Sequence, residues 1–277
     1  MNKPYVPREY WENRFSTSGL NLNAVGYSKL GLVYNTWLYR LRLLVLDRAL
    51  RRINLSAINS NLLDIGVGSG AYIDFWQKKG IRNLTGIDIT EISINILKDK
   101  YPAYCFLKSD IASNEIEQID GQYEIITAFD ILFHIVDDAG FHTAISNISK
   151  LVKDGGWVII SDTFCDHPWG PIFHEYHRSI KNYQSEIEQQ HLVIKHIEPI
   201  FFTMLTPLCG SKLMLWLNTI RNRSIAKLNS RSYTRWLINF LAIPLFSVDL
   251  ILGQLFHRGP SLKFLIAQKD LSIQGDR

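Results

Sequence analysis

NLLDIGVGSGA, residues 61–71, is the stretch whose reading decides the fold. Apolar and β-branched residues run straight into three glycines, Gly66, Gly68 and Gly70. That order reads as a buried strand, a tight turn and a helix start. Turns of this kind hold nucleotide-like cofactors, because glycine lets the backbone pass close to a ligand.

The same alternation continues on both sides. Strand candidates are 61–66, 83–89, 104–109, 123–129, 156–162, 192–200 and 262–268. Helical stretches lie between most of them, near 71–79, 91–100, 138–151 and 174–190. Upstream, Leu30, Val33, Trp37, Leu41, Leu44 and Leu50 fall at helical spacings over 28–53. Strands alternating with helices imply crossover units and a mostly parallel sheet covered on both faces. The predicted fold is α/β and Rossmann-like, with seven strands. The predicted domains are an N-terminal helical lid (1–57), a core (58–202 plus 260–270) and a helical insertion (203–259).

In such sheets the ligand lies beyond the carboxyl ends of the strands. Those ends carry Asp64 to Gly70, Asp88, Asp110, Phe129 to Asp130, and Asp162. Aspartate is also a common turn and N-cap residue, which is the plain alternative for each. Two fingerprints overlap in the opening turn. Gly66, Gly68 and Ala71 satisfy the dinucleotide pattern GxGxxA. The same letters give Asp64-x-Gly66-x-Gly68-x-Gly70. An acid inside the turn repels a pyrophosphate and tolerates a cationic ligand. Asp88 ends the second strand and suits the ribose of either cofactor.

The later segments break the tie. Asp64-x-Gly66-x-Gly68-x-Gly70, "KSDIAS", "YEIITAFDILFHIVDD" and "LVKDGGWVIISD" resemble, in order and spacing over residues 58–165, class I S-adenosylmethionine (SAM) dependent methyltransferases. "SLKFLIAQK" is similar to the antiparallel last strand of that family. The resemblance implies that Asp64, Gly66, Gly68 and Gly70 form the turn around the methionine end of SAM. It implies that Asp88 and Ile89 serve the ribose and adenine, that Asp110 and Ile111 contact adenine, and that the Phe129 backbone faces the amino group. "YWENRF" looks like the family's lead-in, with Tyr10, Trp11 and Arg14 near the cofactor carboxylate. An ordinary first helix is the alternative.

Methyl transfer needs alignment above all, and a base only where the acceptor must lose a proton. His134, in "DILFHI", lies just past strand four and is the candidate base for a hydroxyl acceptor. A structural histidine lining the loop is the competing reading. Asp162 is a second catalytic candidate, with a loop-turn role as its alternative. His174 and His177, three apart in "HEYHRS", read as partly exposed on a helix that covers the pocket and as acceptor contacts. With His191 they make no convincing metal set, and no metal is expected. Tyr27 and Tyr34 are read as an aromatic wall for the acceptor.

Composition sets the outer bounds. The chain has 277 residues, 47% apolar and 20% charged, with a net charge of +4. That charge is too mild to argue for nucleic acid, and no nucleic-acid partner is expected. Cys105, Cys165 and Cys209 are odd in number and far apart, which reads as reduced thiols. The N-terminal residues hold no apolar run of the secretory kind, so the expected location is cytoplasmic.

Residues 203–263 carry eight Lys/Arg against one acid, Asp249, on a strongly apolar background. Asn239, Pro244, Asp249 and Gln254 argue against a spanning helix, since a central acid costs about 2.5–3.5 kcal/mol on insertion scales. Two readings of 203–259 stand: a cap walling the acceptor pocket, or an apolar surface with a basic rim that meets a membrane peripherally. Both point to a small hydrophobic or aromatic acceptor methylated on oxygen or nitrogen. A lipid- or quinone-type acceptor and a non-catalytic SAM-binding subunit are the rivals. The oligomeric state is open.

Overall fold

The computed structural model describes residues 4–114, 116, 119, 121–208 and 211–270. In chain order the first elements are helices α1 (Pro7–Ser18), α2 (Leu22–Val25) and α3 (Gly31–Arg52). Then come β1 (Asn61–Ile65), α4 (Ile73–Lys78), β2 (Asn83–Asp88), α5 (Glu91–Lys100), β3 (Cys105–Lys108) and β4 (Tyr123–Phe129). A short 3-10 turn, Leu132–His134, leads into α6 (Asp138–Leu151) and β5 (Val152–Asp162). β6 (Trp169–Ile172) and β7 (Glu175–His177) precede α7 (Ile180–Gln189) and β8 (Leu192–Pro199). The chain continues through α8 (Lys212–Asn229), a 3-10 turn (Ser232–Leu237), α9 (Ile238–Leu255) and β9 (Lys263–Lys269).

Seven strands form one sheet in the order β3-β2-β1-β4-β5-β9-β8. β1 pairs in parallel with β2 and β4, β2 with β3, and β4 with β5. The last strands are antiparallel, so the predicted fold class holds. The order reverses between β1 and β4, which opens the crevice where ligands bind in doubly wound sheets. Leu62, Leu63, Ile125, Ile126, Val158 and Ile159 are fully buried at the sheet centre. They come from continuous apolar runs, as strands covered on both faces require.

One expected element is corrected. The helix predicted over 174–190 begins only at Ile180, where Ser179 caps it by accepting from the Asn182 N–H. His174 and His177 sit instead on the antiparallel β6–β7 hairpin. Gly170-Pro171 breaks any helix there, since proline lacks the N–H and glycine favours turns.

The chain divides into two compact units. The first holds the residues up to Thr17, Ala57–His196 and those from Leu265 on. The second holds Ser18–Ser56 and Ile197–Phe264. The N-terminal helices α2 and α3 thus share a unit with the insertion, and α1 goes with the core. Within the second unit Glu198 is fully enclosed and its two oxygens accept from Arg48 Nε and Arg52 Nη1, each at 2.7 Å. Trp37 Nε1 donates to Asn239 Oδ1 at 2.8 Å. These links tie segments far apart in sequence, which no local pattern signals.

Cys165 is disulfide-bonded, which corrects the expectation of reduced thiols; separation along the chain says nothing about proximity in the fold. Cys105 is free and exposed. Cys209 lies outside the described residues.

Candidate active site

The turn after β1 is built by its own glycines and by β2. Gly66, Gly68 and Gly70 all adopt positive φ, +70°, +48° and +73°. A side chain is strained there on backbone grounds alone. A Cβ at Gly66 would stand 2.1 Å from Ile131 Cδ1, and one at Gly70 would stand 2.7 Å from Leu97 Cδ2. The Gly66 and Val67 N–H groups both donate to the Ile87 carbonyl, at 2.7 and 3.0 Å. Gly68 N–H donates to Asp88 Oδ2 at 2.9 Å, and Ser93 Oγ donates to the Gly68 carbonyl at 2.6 Å. Asp88 Oδ1 accepts from the Thr90 N–H and hydroxyl, at 2.9 and 2.7 Å. Burial pushes the Asp88 carboxyl above its ordinary range, against the pull of the Thr90 and Gly68 hydrogen bonds.

Asp64 is buried one layer below. The β1–β4 register sets it beside Thr127, whose hydroxyl donates to Asp64 Oδ1 at 2.6 Å. Burial pushes its carboxyl up to about 7, and the Thr127 hydrogen bond offsets only part of that rise. An acid whose folded value exceeds its unfolded one weakens the fold as pH rises between the two values. Asp64 therefore favours folding below about pH 4 and progressively disfavours it up to about pH 7.

The rim beyond β4 and β5 is a second cluster. β4 ends at Phe129, whose ring packs on Tyr72 with centroids 4.3 Å apart. Asp130 follows with φ +59°, a region L-residues rarely adopt. Ser161 holds it there. The Ser161 hydroxyl accepts from the Asp130 N–H at 2.8 Å and donates to Asp130 Oδ1 at 2.6 Å.

His134 is set by the next turn and by the hairpin. Its Nδ1 lies 2.7 Å from the His174 carbonyl, an acceptor only, so Nδ1 carries the proton. In the neutral ring Nε2 is then the basic nitrogen, and among the described residues it has no hydrogen-bond partner. Burial pushes the imidazolium down to about 4, with the nearby His174 ring adding to the fall. The ring is neutral at pH 7 as a base must be.

Around it stands an aromatic column. His134 and His174 stack at 5.4 Å and 10°, and Tyr10 also stacks on His174, at 4.7 Å. Phe133 stacks on His177 at 4.4 Å. Trp11 meets His134 edge-on at 4.9 Å.

Asp162 ends β5 fully buried. It accepts from Tyr183 Oη at 2.8 Å and the Thr163 N–H at 2.6 Å, and pairs closely with His177 Nδ1. Burial alone would lower the His177 imidazolium, but the Asp162 carboxylate outweighs it and the net shift is upward. Asp162 thus orients His177. Arg178, also buried, donates to Asp138 Oδ1 and to the Ile135 and Asp137 carbonyls at 2.9–3.0 Å. It clamps the loop that carries His134 to the hairpin.

Helix α1 joins the same cluster through Glu12 of "YWENRF". Glu12 accepts from the Glu91 and Ile92 N–H groups, at 2.9 and 3.1 Å. It caps α5, whose own N-cap residue makes no side-chain cap. Arg14 Nη1 donates to Tyr10 Oη at 3.1 Å, and its guanidinium lies 5.1 Å over the Trp11 ring.

Asp110 is exposed, its Oδ1 accepting from the Ala112 N–H at 2.9 Å. Ile111 is buried, with its carbonyl accepting from Asn147 Nδ2. Ile89 is half-buried at the end of β2. Tyr27 and Tyr34 belong to the second unit. Tyr34 is fully buried and donates to the Met204 carbonyl at 2.8 Å, the arrangement of a core residue. Tyr27 is exposed. Among the described residues, no three His, Cys, Asp or Glu side chains stand grouped to hold a metal ion.

The sequence reading passed over Glu12, Thr90, Ser93, Ser161 and Arg178. Only Thr90, as a residue able to begin α5, had a local signal.

The sheet order, the glycine turn and the acid ending β2 define the class I SAM-dependent methyltransferases. The chain belongs to the methyltransferase-domain family, whose model matches residues 35–200. Among curated proteins it is similar to the ubiquinone biosynthesis O-methyltransferase of Hydrogenovibrio crunogenus, 32% identical over 111 residues, 37% of this chain and 42% of that one. The enzyme of the same name from Bordetella bronchiseptica is 29% identical over 110 residues, 38% of this chain and 44% of that one. The matched region is thus less than half the length of these relatives.

Among solved structures, magnesium protoporphyrin IX methyltransferase from Synechocystis PCC 6803 with bound SAM has a TM-score of 0.58. It shares 12% identity, over 98% of this chain and 100% of that one. The [4+2]-cyclase SpnF has a TM-score of 0.51 and 13% identity, over 78% and 77%. Likeness at these identities shows the fold alone.

Proposed function

We propose that this chain transfers the methyl group of SAM to an ionisable oxygen on a small apolar or aromatic acceptor. The observation that carries the reading is His134, held with its basic Nε2 unengaged in the aromatic rim beyond β4. The names of the curated relatives, O-methyltransferases of ubiquinone biosynthesis, support oxygen as the target atom.

The turn fits the cofactor on its own terms. Gly66 and Gly70 leave no room for side chains, and Ser69 places in the turn a buried hydroxyl without a hydrogen-bond partner. Asp88 uses three of roughly four acceptor positions on the protein, which leaves one for a ribose hydroxyl. The residues that would hold SAM are Asp64, Gly66, Gly68 and Gly70 at its methionine end, with the Phe129 backbone and Arg14. Asp88 and Ile89 would take the ribose, and Asp110 and Ile111 the adenine. When bound, SAM supplies a methyl group activated on a sulfonium sulfur, with a neutral thioether as leaving group.

The protein supplies position and a proton acceptor. His134 Nε2 takes the acceptor's O–H proton as the oxygen takes the methyl group. The His174 carbonyl holds the ring in the required tautomer. Tyr10, Trp11 and Phe133 exclude water around it.

Asp64 gives the cofactor a pH signature. A cationic ligand favours the ionised carboxylate, whose formation is resisted up to about pH 7. The affinity for SAM is expected to rise several-fold from about pH 6 to about pH 8, and in Asp64→Asn to stay flat. Calorimetric titration across that range checks it.

The reading itself is tested by incubating the full chain with methyl-labelled SAM and a panel of phenols, catechols, carboxylic acids and anilines. Labelled methyl ethers or esters are the expected products by mass spectrometry. Label on nitrogen only, or no label despite SAM binding, would overturn it.

A further inference from the structure

The second unit carries a helix whose polarity is inside out. Ile238, Ala242, Asp249 and Gly253 form the buried stripe of α9, at helical spacing. Its one charged residue is therefore on the inner face. Asp249 accepts from the Phe202, Thr203 and Met204 N–H groups and the Thr203 hydroxyl, at 2.6–3.1 Å. The outer face is Phe240, Ile243, Val248, Ile251 and Leu255, all exposed, with no charge among them. Phe240 is 66% exposed and Ile251 57%. Trp236 and Tyr233, in the turn before α9, are 58% and 67% exposed. An exposed apolar face of this extent is unusual for a surface helix and marks a contact surface.

The charge around it selects the partner. From Ser211 to Arg258 the exposed charged residues are Lys212, Arg223, Lys227, Arg231, Arg235 and Arg258, and the segment's only acid is the buried Asp249. Apolar side chains with tryptophan and tyrosine among them, beside cations without exposed anions, fit the boundary of an anionic bilayer. Residues Ser232–Leu255 are long and apolar enough to cross a membrane by length and composition, with a mean hydropathy of 1.9 over the most apolar 18-residue window. The four hydrogen bonds to Asp249 instead fasten the inner face of α9 to the 202–204 segment.

We propose that the outer face of α9, with the preceding turn and the cations of α8, docks the protein peripherally on an anionic lipid surface. This goes beyond the methyl-transfer reading and does not depend on it.

The test is co-sedimentation of the full chain with phosphatidylcholine vesicles, and with vesicles in which one lipid in three is phosphatidylglycerol. Binding to the anionic vesicles alone, released by high salt, is expected. F240S/I251S and R231E/R235E should each weaken it at least about tenfold. I58S, exposed in the other unit, should leave it unchanged. Thermal unfolding of each variant verifies folding. Three results would overturn the proposal: no sedimentation with either vesicle, binding that resists salt and carbonate as a spanning helix does, or a stable homodimer that F240S/I251S dissociates.

Discussion

Gly66→Ala is expected to lower kcat/KM for methyl transfer about a hundredfold while the protein stays folded. Two separate costs combine. At φ +70° an L-residue loses about 1–2 kcal/mol against glycine. The new methyl also meets Ile131 at 2.1 and 2.4 Å, so Ile131 must move. Its carbonyl accepts from the His134 N–H at 2.9 Å, so a shift of Ile131 carries the candidate base with it. Displacing a catalytic group by about an ångström is enough for a loss of this size. The mechanism can be separated from simple strain by adding Ile131→Ala. Removing the obstruction should recover part of the lost rate and leave the φ cost behind, a coupling that steady-state kinetics on the four proteins would read. Strictly additive losses would mean that the turn and the loop act independently.

The second large effect falls on chemistry alone. His134→Asn keeps an N–H near the Nδ1 position and removes the base. The turnover of a hydroxyl acceptor should fall about 10²–10⁴-fold, with SAM affinity unchanged. The pH dependence carries its own sign. Because burial holds the imidazolium near 4, His134 remains the neutral base down to mildly acidic pH. The acid limb of kcat at saturating SAM should therefore lie well below 6.5, and any limb near 7 should appear in the apparent KM for SAM through Asp64. The same depressed value costs stability as pH falls. Between about 6.5 and 4 the unfolded chain binds a proton the folded one does not, so acid destabilises, and His134→Asn should lessen that loss. An unchanged turnover in His134→Asn would assign the histidine to the loop's architecture.

How much of this could be read from the chain depends on the range of the interaction. The central strands were legible because each is a short apolar run bounded by turn residues, and burial on both faces demands such runs; the edge strands β3 and β8 are only partly buried and were legible from their turn residues and their place in the alternation. The glycine turn was legible because left-handed backbone needs glycine. The hairpin over 169–177 was not. His174 and His177 three apart imitate a helix face, and the contrary signal, Gly170-Pro171, lies just upstream. Tyr34 was read as an acceptor wall because aromatic residues line pockets, yet large aromatics more often fill cores, and Tyr34 does. The fastening of Asp249 to 202–204 and of Glu198 to Arg48 and Arg52 spans dozens of residues, where periodicity carries no information. Glu12 belongs to the same group: an acid that caps a helix 79 residues away looks locally like any exposed glutamate.

The turn from Asp64 to Gly70, braced by Asp88, is the proposed SAM site. It is tested most directly by calorimetric titration of the purified full chain with S-adenosylhomocysteine, beside NADH as a nucleotide control. One saturable site per chain is expected for S-adenosylhomocysteine, lost or much weakened in Gly66→Ala, and none for NADH. Saturable NADH binding, or no heat with S-adenosylhomocysteine from a folded chain, would contradict it.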